Sequence, residues 1–160
     1  IFPGVDTGNR IQLTGKGEVG PGGGMPGDLY VEVTVTPHPV FERRGQELHC
    51  TVTLPMTAAA LGTRLTLETL DGPQDLVVPP GTQPSEVLRM KGFGMPKLHA
   101  DDRGELLAHV EVEVPTRLDE EQQRLLRELA AARGEERPEA RVVAGQTGIF
   151  ARLRDAISGR

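Results

Sequence analysis

A shift of 77 residues lays this chain over itself. It carries the run Pro3-Gly4-Val5-Asp6-Thr7-Gly8-Asn9-Arg10-Ile11-Gln12-Leu13-Thr14-Gly15-Lys16-Gly17 onto the run that begins Pro80-Gly81 and ends Gly92-Phe93-Gly94. The same shift takes Gly27 to Gly104, Leu29 to Leu106, Val33 to Val110 and Val35 to Val112. A register that holds without a gap across a glycine-rich loop implies two copies of one β-unit, not one domain around a single active site. We refer to them as the first and second repeats.

With 160 residues, each half is long enough to bury a small core. Hydrophobic residues are 37% and aromatic residues 3% of the chain, so each core should be thin and aliphatic. The formal net charge of −5 argues against a phosphate-backbone partner, which needs a basic face. No Trp and one Tyr leave few platforms for base stacking. Cys50 is the single cysteine, which excludes an internal disulfide framework and fits a reducing, cytoplasmic setting. No apolar run approaches the roughly 20 residues of a membrane span, and the first residues do not read as a signal peptide. The chain opens at Ile1 inside what reads as a strand, so we expect a piece of something longer.

Ile11-Gln12-Leu13 follows a Pro/Gly turn and alternates like a short strand. Gly15 to Gly27 holds seven glycines and two prolines and reads as a loop. Leu29 to Val35 alternates with period two, and the face Leu29, Val31, Val33, Val35 should be buried. Pro37-His38-Pro39 stops that strand, because proline cannot donate to a ladder. Arg44-Gly45 reads as a turn, and Glu47 to Leu54 as a strand with core face Leu48, Cys50, Val52, Leu54. Met56 to Leu61 predicts one or two helical turns ended by Gly62. Arg64 to Leu70 alternates, Asp71-Gly72 signals a hairpin, and Asp75 to Val78 returns. In the second repeat Val87 to Met90 is the short strand, Gly92 to Gly104 the loop and Glu105 to Val114 the long strand.

The character then changes. Asp119 can cap a helix, with Gln122 in the reciprocal capping position. Leu125, Leu126, Leu129 and Ala130 make one apolar stripe. Gly134 to Gly148 reads as a linker. Ile149, Phe150, Leu153 and Ile157 have the spacing of a second short amphipathic helix. Residues 1–36 are thus expected to be the remaining part of a first β-domain and 37–115 a hinge and second β-domain. Residues 116–134 would form a C-terminal helix, and 135–160 a linker with a short terminal helix. The fold class is mainly β: two tandem β-sandwich-like domains, the first incomplete, followed by an amphipathic helix.

Four histidines (His38, His49, His99, His109) raise the question of metal. His49 and Cys50 are adjacent, so in a strand they face opposite ways and cannot chelate together. No Cys-x-x-Cys or His-x-x-x-His occurs, and surface or edge histidines are the better reading. Gly20 to Gly24 lacks a following Gly-Lys-Ser/Thr, so it is no phosphate cradle. Asp101-Asp102 and Glu105 suit a solvated turn more than a catalytic pair. No nucleophile elbow exists. No enzyme, metal or cofactor is expected in this piece.

A binding surface fits better. An extended peptide can add to a sheet edge through main-chain bonds while side chains enter shallow apolar pockets. Phe41 stands out just beyond Pro39, either lining such a pocket or plugging the hinge between the repeats. Ile11 and Leu13 are likewise strand-core residues or pocket lining.

Six motifs then point to a family. They are Pro26-Gly27-Asp28-Leu29-Tyr30-Val31, His38-Pro39-Val40-Phe41, Ala60-Leu61-Gly62, Thr69-Leu70-Asp71-Gly72, Pro80-Gly81-Thr82-Gln83 and Arg89-x-x-Gly92-x-Gly94. In that order and spacing they resemble the C-terminal region of DnaJ-type co-chaperones over about residues 2 to 130. The resemblance implies two tandem β-domains joined by a hinge, which bind non-native polypeptide and hand it to DnaK. It implies a hydrophobic groove to which Phe41 and the strand Ile11 to Leu13 contribute. It implies a homodimer supported by the helix carrying Leu125, Leu126 and Leu129. The family's ATPase-stimulating His-Pro-Asp loop has no counterpart here, since His38-Pro39 is followed by Val40. Its zinc repeats and the opening strands of its first β-domain are absent too, and Pro84-Ser85 stands where the family often has a glycine. An incomplete first domain would expose an edge, which is expected to pair with another chain, exchange strands or lack order.

The competing reading is a tandem β scaffold or oligomerisation module without a client groove. A glycan-binding or hydrolytic sandwich is disfavoured by the few aromatic residues. A membrane-surface role for Ile149 to Ile157 is weaker than a packing or dimer arm, because the segment is short.

Overall fold

The computed structural model describes residues 1–98 and 102–139, and the expected second helix at 149–157 lies outside them. The chain divides into two compact units, residues 1–115 and the part from Thr116 onward.

The first unit is mainly β. β1 (Arg10–Leu13) pairs antiparallel with β2 (Leu29–Glu32) in a sheet of their own. A four-stranded sheet has the order β3-β4-β8-β7. Its strands are β3 (Glu42–Arg44), β4 (Glu47–Pro55), β7 (Val87–Pro96) and β8 (Arg103–Glu113). The short helix α1 (Met56–Leu61) follows β4 and ends at Gly62. β5 (Thr63–Thr69) and β6 (Gly72–Val78) form the hairpin. β4 and β8 run parallel, with Leu48 opposite Leu106 and Val52 opposite Val110. A parallel pair needs a crossover, and here α1, the hairpin and β7 supply it.

The core belongs to the second repeat and its flanking strands. Leu48, Cys50 and Leu54 of β4, Leu88 and Met90 of β7, and Leu106, Ala108 and Val110 of β8 share one buried cluster. Leu76 and Val78 of the hairpin join it, with Leu65 and Leu67 half-buried against it. This sheet and its hairpin make the second domain two-layered.

The repeat is real at the level of single hydrogen bonds. Ile11 faces Val31 and Leu13 faces Leu29, while Leu88 faces Ala108 and Met90 faces Leu106. The Gly8 amide donates to Val33 O at 3.0 Å, and its image, the Ser85 amide, donates to Val110 O at 2.8 Å. Val33 N donates to Asn9 O, and Val110 N to Glu86 O, both at 2.9 Å. Gly8 has φ 88° and Ser85 has φ 67°, so the serine adopts the left-handed conformation that glycine adopts in the first repeat.

Three expectations are corrected. The face Leu29, Val31, Val33, Val35 is not buried: Leu29, Val31 and Val35 are exposed and Val33 is half-buried, and Leu29 is 43% exposed whereas its image Leu106 is 0% exposed. The reason is topological. β8 has β4 on its outer edge and the hairpin across its face, and among the described residues β2 has neither. The run Gly92 to Gly104 is not all loop, because β7 continues to Pro96 through a register shift after Lys91. Gly92, at φ 80°, bends the strand there instead of ending it. Residues 42–44 are a strand, and the turn to β4 falls at Gly45-Gln46.

Backbone crowding requires glycine at position 104. A Cβ built on Gly104 would lie 2.0 Å from Gln46 O, where the chain enters β4. Its image Gly27 meets nothing nearer than Glu18 O at 3.7 Å. Gly104→Ala should therefore cost about 2–4 kcal/mol by forcing the β3–β4 turn away. Gly27→Ala should stay within about 1 kcal/mol. Urea unfolding of the two variants measures the contrast, and equal midpoints would contradict it.

In the second unit, α2 (Glu120–Arg133) is bounded by its own sequence. Asp119 and Gln122 form a reciprocal capping box, and Gly134 closes the helix in the left-handed conformation. None of its residues is buried. No described helix is long and apolar enough to cross a membrane.

Candidate functional site

Alternation along β1 and β2 places Ile11, Leu13, Leu29 and Val31 on one face of their sheet. Ile11 is half-buried and Leu13 is 40% exposed. Their images Leu88 and Met90 are buried in the core of the second domain. A cleft of about 280 Å³ opens beside Ile11, with Phe2, Val5, Asn9 and Leu98 among its walls.

Phe41 is placed by the turn before it. Proline at positions 37 and 39 keeps that segment out of a ladder. His38 then folds back: its Nδ1 accepts from the amides of Val40 at 3.1 Å and Phe41 at 3.2 Å. The imidazole lies 5.1 Å from the Phe41 ring, tilted by 31°. Phe41 is 6% exposed and belongs to the core cluster. It also forms part of a larger cleft of about 520 Å³, with Asp6, Val35, His38, Leu70 and Met95. Phe41 is therefore not on the face that carries Ile11 and Leu13. Consecutive residues, Val5 and Asp6, line the two clefts.

Charge gathers at the rim of the larger cleft. Arg44 holds the Glu42 carboxyl below the usual carboxylate range, first through its hydrogen bond and then through its charge. Arg43 reaches from β3 to the first repeat, donating to Val5 O at 2.8 Å and lying 3.3 Å from the Asp6 carboxylate. Arg103 fastens the hairpin turn to the sheet, donating to Asp71 at 3.0 Å and to Gly94 O at 2.8 Å. That bond holds the Asp71 carboxyl low. Sequence reasoning missed Arg43, which sits in a charged Glu-Arg-Arg stretch with no apolar alternation to mark it.

His49 and His109 meet although 60 residues separate them. Their rings stack with centroids 5.2 Å apart, and His49 Nδ1 lies 2.9 Å from His109 Nε2. The parallel pairing of β4 with β8 brings them together, and only a prediction of that pairing could have shown it. The Glu47 carboxylate is 3.4 Å from His49 Nε2, which has no hydrogen-bond partner among the described residues. Among the described residues no three His, Cys, Asp or Glu side chains are grouped to hold a metal ion.

On α2 the stripe stands out from the helix. Leu125 is 50% and Leu129 is 55% exposed, and Leu126 is half-buried.

The family described as the DnaJ C terminal domain matches residues 1–115. This chain belongs to the DnaJ C-terminal domain family. Over 160 residues it is 59% identical to "Chaperone protein DnaJ 2" of Streptomyces avermitilis and 59% identical to "Chaperone protein DnaJ 2" of Streptomyces coelicolor. It is 52% identical over 163 residues to "Chaperone protein DnaJ 1" of Nocardia farcinica. All of this chain is covered in each comparison, and it spans 42% of the length of each relative.

The DnaJ C-terminal fold also seals its one thiol. Cys50 is 4% exposed in the core, and burial pushes its thiol up. Native-state alkylation should run at least about a hundredfold slower than in the urea-unfolded chain. Equal rates by mass spectrometry would contradict a sealed core around Cys50.

Proposed function

We propose that this chain binds extended segments of non-native polypeptide, as the client-binding and dimerising part of a DnaJ-type co-chaperone that delivers clients to a DnaK-type chaperone. The observation that carries the reading is the open strand face Ile11, Leu13, Leu29, Val31. The chain builds the same face twice, closes it into a core once and leaves it accessible once. Apolar surface on an edge strand takes extended chain through main-chain bonds with little demand on client sequence. Phe41 contributes from the neighbouring cleft. The family relationship supports client binding and transfer to DnaK, and a cytoplasmic setting belongs to the same proposal.

Titration with a carboxymethylated, permanently unfolded polypeptide tests this. Ile11→Ser with Leu13→Ser should weaken binding by about tenfold, the order of one lost apolar anchor. Unchanged affinity would remove both residues from the site, and no binding by the wild-type chain would favour the scaffold reading. Phe41→Ala should weaken binding and also destabilise the fold by about 3 kcal/mol, because its ring is buried.

The exposed stripe of α2 supports the dimer. Leu125 and Leu129 leave apolar surface that a second α2 would cover. Leu125→Asp with Leu129→Asp should halve the mass measured by light scattering. A wild-type mass in that variant would exclude this helix as the contact.

A further inference from the structure

Arg43 reaches from β3 to three backbone carbonyls around it. Its guanidinium donates to Val5 O at 2.8 Å, to Gly4 O at 3.3 Å and to Gly45 O at 2.8 Å. Nε also lies 3.3 Å from the Asp6 carboxylate. The side chain is 15% exposed, so these bonds form largely out of water, where they are stronger and their loss leaves carbonyls unpaired. Its backbone is fixed by pairing with Leu48 of β4. Its acceptors Gly4 and Val5 lie in the loop that opens the first repeat.

That loop is held from a second side. A Cβ on Gly4 would lie 2.7 Å from Pro96 O and Leu98 N, so the loop rests on the end of β7. Val5 lines the cleft beside Ile11, and Asp6 lines the cleft beside Phe41. A side chain that grips this loop sets the geometry of both clefts at once.

We propose that Arg43 is a positioning residue that locks the first repeat onto the second domain and so fixes Ile11 and Leu13 relative to Phe41. It rests on the client-binding reading above and adds the element that pre-organises the surface. Arginine suits this role and lysine does not, because a planar fork spans several acceptors in fixed geometry whereas an ammonium is a single point charge.

Spin labels at Thr14→Cys and Glu68→Cys, read by pulsed dipolar spectroscopy, report the distance between the repeat and the hairpin. The wild-type distribution should be narrow. Arg43→Ala should broaden it and weaken binding of the carboxymethylated polypeptide by about tenfold, the loss expected when a pre-organised surface becomes mobile. Arg43→Lys should broaden it less, because lysine still pairs with Asp6. An unchanged distribution in Arg43→Ala overturns the proposal. Broadening with unchanged affinity overturns the link to the client surface. If Arg43→Ala fails to fold, Arg43→Lys carries the same comparison, and a wild-type width there overturns the proposal. Wild-type chain that binds no polypeptide would defeat the client-binding reading alone, since the distance distributions still judge the clamp.

Discussion

The parallel seam between β4 and β8 organises the second domain. It places Leu48, Cys50 and Leu54 beside Leu106, Ala108 and Val110, and the hairpin then has an apolar surface to cover. β8 becomes an interior strand with neighbours on both edges, and its central residues are among the most deeply buried of those described. The approach of Gln46 O to Gly104 shows how tightly the entry to that seam is built. Removing β4 would leave β7 and β8 as a ribbon, which is marginal in water by itself.

The first repeat is that ribbon. It has the same pairing register, the same flanking bonds and the same turn leading into its first strand as β7 and β8, with no counterpart of β4 beside it among the described residues. One local structure therefore has two thermodynamic fates. Where a third strand and a hairpin cover it, its alternating residues drive folding. Where they do not, the residues remain as accessible apolar surface, which is the property a polypeptide-binding protein uses. The Arg43 fork and the packing of Gly4 on β7 keep this ribbon attached to the closed domain.

Much of this was legible from residues alone, for local reasons. The alternation in Glu47 to Leu54 named the buried positions Leu48, Cys50 and Leu54, because period two fixes which side chains share a face. Asp71-Gly72 located the hairpin, and Asp119 with Gln122 located the start of α2. What failed was non-local. Leu29 and Val31 looked like core residues, and whether a face is covered depends on which strand arrives beside it. The parallel partner of β8 is remote along the chain, and nothing near Leu106 names Leu48. Gly92 looked like a strand end because a bulge and a loop both use glycine. Arg43 was silent for the same reason, since its partners Gly4 and Val5 are distant and offer only backbone. Alternation along β1 puts Ile11 and Leu13 on one face, and the turn at His38 puts Phe41 in a different cleft.

Both boundaries of α2 are written within one short stretch of chain: a reciprocal cap at Asp119 and Gln122, and a left-handed stop at Gly134. Its length owes nothing to the sheets. Under the proposed roles, changes along the leucine stripe would retune self-association, and substitutions in the strands would alter what is captured. Selection could adjust the two traits separately within one polypeptide.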